Sequence, residues 1–143
     1  MKRRLLAYQS AVACSDLCTG AGLMAAPQWT LGWMGISLTG SIAAPANLSR
    51  AVLIGYVGAF VFAVGMLCAC GVWILLRRGQ RAHMEMLWLA TAILRASVAV
   101  YVTMQVLSLH LALPWLQVAA FDAVCAALQG IGLRRRWLNH ALC

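Results

Sequence analysis

Apolar residues dominate four stretches of the chain, at about 5–26, 51–76, 84–109 and 115–133. As a helix rising about 1.5 Å per residue, each is long enough to cross a hydrocarbon core roughly 30 Å thick. The clearest is Ala51 to Leu76, 26 residues without a charge, which can span with some tilt. The first stretch is the least apolar, because Tyr8, Gln9, Ser10, Ser15, Asp16 and Thr19 interrupt it. Such a helix cannot face lipid all round, so its polar side is predicted to face protein.

The connections carry the punctuation expected between spans. Pro27 ends the first, and Trp29 and Trp33 follow where an aromatic belt sits, so Gln28 to Met34 is predicted to lie along the outer membrane surface. Residues 37–50, small and polar with Gly40 and Pro45, read as an external loop. Within it, Asn47-Leu48-Ser49 matches the short glycosylation acceptor pattern. Arg77 to His83 reads as a short basic turn and Leu113-Pro114-Trp115 as a second external turn. The predicted fold is all-α: one integral membrane domain over residues 1–143, a four-helix bundle with both termini cytoplasmic. Its loops are short apart from the longer external one between the first two spans.

Small residues mark where helices can approach. Gly55, Ala59 and Ala63 recur every four positions in the second span, and Ala119, Ala123 and Ala127 do so in the fourth. Both stripes are predicted to line close helix contacts, within the chain or between copies.

Composition agrees with the pattern: 64% of residues are hydrophobic and 10% charged, against about half and a quarter in soluble domains. Four spans and short connections leave no room for a soluble catalytic domain. The formal charge of +8 comes from groups at the ends of apolar runs, Lys2 to Arg4, Arg77 with Arg78 and Arg81, and Arg134 to Arg136. That is the positive-inside arrangement of cytoplasmic flanks, and it excludes a nucleic-acid-binding face.

All three acidic residues, Asp16, Glu85 and Asp122, fall within apolar spans. By helical rise, Asp16 lies about 16 Å beyond Leu5, Arg95 about 16 Å beyond Met84 and Asp122 about 18 Å before Arg134, so all three reach the bilayer midplane. A charge at that depth costs about 3 kcal/mol or more and requires a partner, a proton or water. The guanidinium of Arg95 offers five donors to the two carboxylates, and one aspartate can hold a proton near neutral pH. Gln9 is seven residues from Asp16, and Gln129 seven from Asp122 with Cys125 between, so each shares a helix face with its aspartate. With Glu85, these side chains predict a polar path from midplane to cytoplasm. Arg95, Asp16 and Asp122 form either an ion network that sets helix register or a site for a small ligand or protons.

Cys14, Cys18, Cys68, Cys70 and Cys125 lie inside apolar runs, with no CxxC pair and no histidine at ligand spacing. They read as small buried hydrophobes, with a Cys14–Cys18 dithiol on one helix face as the alternative. No metal site and no cofactor is predicted. His83, His110 and His140 fall near span ends. The basic start and Ala11-Val12-Ala13-Cys14 resemble a cleavable leader in part, but the apolar run continues past Cys14, and a retained span is predicted.

The stretch Gly22-Leu23-Met24-Ala25-Ala26-Pro27-Gln28-Trp29-Thr30-Leu31-Gly32-Trp33-Met34-Gly35, with the glycine-rich second span and the later spans carrying Arg95 and Asp122, resembles small uncharacterised bacterial four-helix membrane proteins of the DoxX-like group. The resemblance implies a multi-pass protein of the bacterial inner membrane, and for some members a link to oxidoreductase or quinone-associated systems. In size and layout the chain is also similar to small multidrug exporters, with Asp16 at the position of their carboxylate. It departs from them at Arg95, which would repel a cationic substrate, and at Asp122. The expected function is a non-enzymatic scaffold or accessory subunit in contact with the lipid bilayer and with a further copy or another membrane protein. The alternatives are a proton-linked or small-solute transporter and an oxidoreductase-associated membrane enzyme.

Overall fold

The computed structural model describes residues 2–36, 44–77 and 81–138. Gln80, His140 and Cys143 lie outside them. The chain is all-α: α1 (Lys2–Ala25), α2 (Pro27–Trp33), α3 (Ala44–Leu76), α4 (Arg81–Leu107), a 3-10 turn (Leu113–Trp115) and α5 (Leu116–Arg134). Among the described residues, three helices are long and apolar enough to cross a membrane: Val52–Leu76, Ala82–Leu107 and Leu113–Arg134. Helix α1 is long but is not one of them, since its polar residues dilute its hydropathy.

Helix α3 starts at Ala44, inside the stretch predicted to be an external loop. Pro45 does not prevent this, because in a first turn its missing N–H has no helical partner to lose. The Asn47-Leu48-Ser49 backbone is thereby helical, while its side chains lie outside those described. Pro27 opens α2 in the same way. Helix α4 stops at Leu107, two residues before the predicted end. His110 N–H bonds back to the Gln105 carbonyl and Leu109 N–H to Val106, which closes the helix with Leu109 at φ 59. The same closure ends α5, with Arg136 at φ 52.

The helices associate mainly as two pairs, α1 with α3 and α4 with α5, which meet along a thinner seam. In the first pair the backbones touch. A Cβ on Gly20 would lie 2.5 Å from the Phe62 amide nitrogen, and one on Gly58 would lie 2.9 Å from the Gly20 carbonyl oxygen. Gly65 leaves room for Asp16 and Gly71 for the Gln9 amide. The predicted stripe of Gly55, Ala59 and Ala63 does not make this contact. Ala59 and Ala63 are exposed, and nothing lies within 4 Å of a Cβ built on Gly55. The reason is rotational: Gly58, Phe62 and Gly65 form a neighbouring stripe on the same helix, and it is the one that meets α1. In α5, Ala119 is buried while Ala123 and Ala127 face outward.

Polar side chains lie among the apolar core residues, and many large apolar side chains are exposed. Gln9, Asp16, Thr30, Thr91, Arg95 and Gln129 are buried, while Tyr56, Phe60, Trp73, Ile93, Met104 and Val124 are exposed. Apolar surface on this scale needs a lipid or protein cover. At one end of the interior, Leu5, Leu75, Met84, Trp88 and Leu138 pack together; the starts of α1 and α4 and the ends of α3 and α5 therefore converge there. Lys2, Arg3, Arg4, Arg77 and Arg134 to Arg136 gather at this same end, the basic end of the bundle. Trp115 packs at the opposite end, against the cluster of Leu23, Leu31 and Ile36 and against that of Val102, Val106 and Ala119. There the Gln117 amide also donates to the Met34 carbonyl, tying α5 to the residues after α2.

Candidate functional site

Three helices each turn one face inward, and the polar residues lie on those faces. Helix α1 buries Leu5, Gln9, Val12, Ala13, Asp16, Gly20 and Leu23. Helix α4 buries Met84, Trp88, Thr91, Arg95, Ala99, Val102 and Val106. Helix α5 buries Ala119, Cys125, Gln129 and Gly132, with Asp122 partly buried on the same side. Steps of three and four residues keep each series on one stripe.

Arg95 lies between two carboxylates. Its Nη1 donates to Asp122 Oδ1 at 2.5 Å, and its Nη2 donates to Asp16 Oδ2. Each aspartate takes one terminal nitrogen, so the guanidinium bridges α1 and α5 instead of forking onto a single carboxylate. The side chains of Arg95, Asp16 and Asp122 are 4%, 7% and 14% exposed. The Phe121 ring centroid is 5.6 Å from the guanidinium carbon and adds a cation–π contact. Arg95 Nε is buried and makes no hydrogen bond. Fully ionised, the trio carries one net negative charge.

One to two turns toward the basic end, polar side chains form separate ties. Gln9 donates to the Cys68 carbonyl at 3.1 Å and accepts from the Trp88 indole at 3.1 Å. Tyr8 donates to the Cys125 carbonyl at 3.3 Å. Gln129 donates to Thr91 Oγ1 at 3.0 Å, and Thr91 in turn donates to the Leu87 carbonyl at 2.8 Å. Asp16 to Arg95, Gln9 to Trp88 and Tyr8 to Cys125 all cross the seam between the helix pairs. Polar bonds thus cross the seam beside apolar contacts such as Leu5 and Leu75 with Met84 and Trp88, whereas backbone contact holds α1 to α3.

The predicted polar path to the basic end is not continuous. Beyond Gln9, the interior is filled by Leu5, Leu75, Met84, Trp88 and Leu138, all at least nine-tenths buried. Glu85 sits half-buried to one side, in a groove with Ala82, Met86, Leu89, Leu133 and Arg136, apart from the cluster. On the other side of the ion cluster lie the apolar groups around Leu23 and Val102.

Cys68 and Cys125 are buried beside Val12, Ala13 and Val64, as small hydrophobes. Cys14 and Cys18 are not buried: they lie on the outer face of α1 with their sulfurs 4.0 Å apart. Tyr101, His83 and His110 are exposed, away from Arg95. Trp88, Thr91 and Tyr8 were not expected at the site. Trp88 precedes Arg95 by seven residues, the spacing that linked Gln9 to Asp16, and Thr91 by four, which lies on the same face, so helical periodicity would have found both.

No protein-family model matches the chain, and no curated protein and no solved structure matches it.

Proposed function

We propose that the chain is a four-span membrane protein, N-in and C-in, that serves as a non-enzymatic scaffold or accessory subunit. Its Asp16–Arg95–Asp122 cluster acts as a clasp between two helix pairs. The observation that carries this reading is the enclosure of the cluster: three charged side chains, almost wholly shielded, pair with one another between apolar layers. A site that exchanges ligand or protons needs a water-reachable cavity at those groups, whereas a clasp needs only mutual satisfaction.

Helix α1 completes the four spans. It has 24 residues, about 36 Å of helix, and its polar side chains Gln9 and Asp16 face inward, so its outer face meets lipid or a partner. The collected arginines at the basic end favour the cytoplasmic side. The stripe of Gly55, Ala59 and Ala63, whose two alanines are exposed, supports contact with another copy or another membrane protein. A bacterial inner membrane and a DoxX-like relationship belong to the same proposal.

The alternative is a small proton-linked transporter, favoured by the thin polar seam along which the two pairs can part. Proton uptake into proteoliposomes with an internal pH dye separates the readings. Rates equal to those of empty vesicles are expected; uptake above that level, abolished by Asp16→Asn, establishes transport.

A further inference from the structure

Two thiols stand together on the outer face of α1. Cys14 and Cys18 are one helical turn apart, both exposed, with their sulfurs 4.0 Å from each other. The exposed residues around them, Ala11, Ser15 and Ala21, are small and leave the sulfurs uncovered. The other described cysteines differ. Cys68 and Cys125 are packed inside, and Cys70 is exposed on α3 about half a turn round from the buried Cys68. Cys14 and Cys18 are thus placed to act as a chelate, since a soft ion bound by one thiolate meets the second on the same helix turn.

Ligand number restricts the ion. Among the described residues, no group of three or more histidine, cysteine, aspartate or glutamate side chains is placed to hold one ion. Zinc, which takes four ligands in structural sites, is therefore not served. An ion satisfied by two sulfurs is. With thiolate bonds of about 2.3 Å, a linear two-coordinate ion separates its sulfurs by about 4.6 Å. Rotation of two uncovered cysteine side chains supplies the difference from 4.0 Å.

Charge restricts it further. In the bilayer orientation proposed above, Cys14 and Cys18 lie about 3 Å either side of the level of Asp16, on the side turned away from the bundle. A net charge there carries the penalty of an ion in hydrocarbon. Two thiolates leave a monovalent ion as a net anion, but they neutralise a divalent one. We propose that Cys14 and Cys18 form a two-coordinate site for mercury(II), a soft divalent ion that is stable between two linear sulfurs, reached from the lipid as the neutral dichloride. Mercuric chloride and the two thiols give the bis-thiolate and two molecules of hydrogen chloride, which ionise on reaching water. Two mercury–chlorine and two sulfur–hydrogen bonds break, no electrons are transferred, and every species in the hydrocarbon is neutral.

The test uses the full chain, reduced and incorporated into phosphatidylcholine nanodiscs. Failure to incorporate overturns the membrane reading itself; with incorporation established, every later outcome concerns the dithiol. One equivalent of mercuric chloride is added, and increasing glutathione then competes for it, because a single-thiol adduct exchanges readily with a monothiol and a chelate resists. Native mass spectrometry is expected to show one mercury in place of two protons. Cys14→Ser and Cys18→Ser are each expected to lower the affinity extracted from the competition about a hundredfold, the low end of what tethering two binding groups contributes. Cys70→Ser removes an exposed thiol elsewhere and is expected to change nothing. Cys18→Thr with Thr19→Cys keeps the number of thiols but turns the second sulfur about 100° round the helix, and is expected to bind as weakly as the single serine variants. Zinc(II) is expected not to be retained. Mercury released from the unaltered chain as easily as from Cys14→Ser, an equal effect of Cys70→Ser, full retention after the residue 18 and 19 exchange, or equal retention of zinc overturns the proposal.

Discussion

The indole of Trp88 donates to the side-chain oxygen of Gln9 at 3.1 Å, and the Gln9 amide donates to the Cys68 carbonyl at the same distance. One glutamine thereby joins α1, α3 and α4 with both ends of its amide satisfied. Trp88→Phe removes the indole donor together with part of a buried ring, so it leaves the Gln9 oxygen without a partner and a cavity in the apolar layer. In membrane proteins such bonds average about 0.6 kcal/mol and reach about 1.7. A loss above that range is expected from detergent unfolding curves because the cavity adds to it, and Gln9→Leu with Trp88→Phe is expected to cost less than the sum of the single changes.

Cutting the Arg95 bridge costs more than cutting a neutral hydrogen bond, because it leaves full charges behind. Arg95→Ala is expected to cost about 3 to 5 kcal/mol, since Asp16 and Asp122 both lose their counter-charge. Asp122→Asn is expected to be milder, because it leaves one guanidinium against one carboxylate. The pair Arg95→Leu with Asp122→Leu is expected to be less destabilising than the two single changes added. Strict additivity in that cycle refutes the clasp.

Backbone contact between α1 and α3 predicts a steep dependence on bulk at Gly20. Gly20→Val places carbon against the Phe62 backbone, so the helices must move apart. A loss of about 1 to 3 kcal/mol, the usual cost of overpacking, is expected in thermal denaturation. Ala59→Leu, on the outer stripe, is expected to leave the stability of the single chain unchanged; a change confined to oligomer size on gel filtration shows that the stripe contacts another copy.

Leu109 adopts φ 59 after α4 with 92% of its surface exposed. A left-handed conformation costs a residue with a Cβ about 1 to 2 kcal/mol, and this exposed side chain provides little packing to offset that. Leu109→Gly is therefore expected to raise the melting temperature. An unchanged or lower value shows that the side chain has a contact outside the single chain.

Several features were legible in the sequence because they depend only on spacing and on the free energy of charge in hydrocarbon. That Asp16, Arg95 and Asp122 reach a common level follows from helical rise, and their pairing follows from the need for a partner. The inward face of α4 is marked by Trp88, Thr91 and Arg95 among apolar neighbours. Helix α3, by contrast, is apolar all round beyond its first turns, so nothing local distinguishes the stripe of Gly58, Phe62 and Gly65 from that of Gly55, Ala59 and Ala63. Tertiary structure decided between them: α1 must turn Asp16 toward Arg95 and Gln9 toward Trp88, and in that orientation its Gly20 meets Phe62. The same packing closed the predicted polar path. Side chains in separate runs, Leu5, Leu75, Met84 and Leu138, meet only once the helices assemble, and no periodicity within one helix records which apolar groups will share a layer.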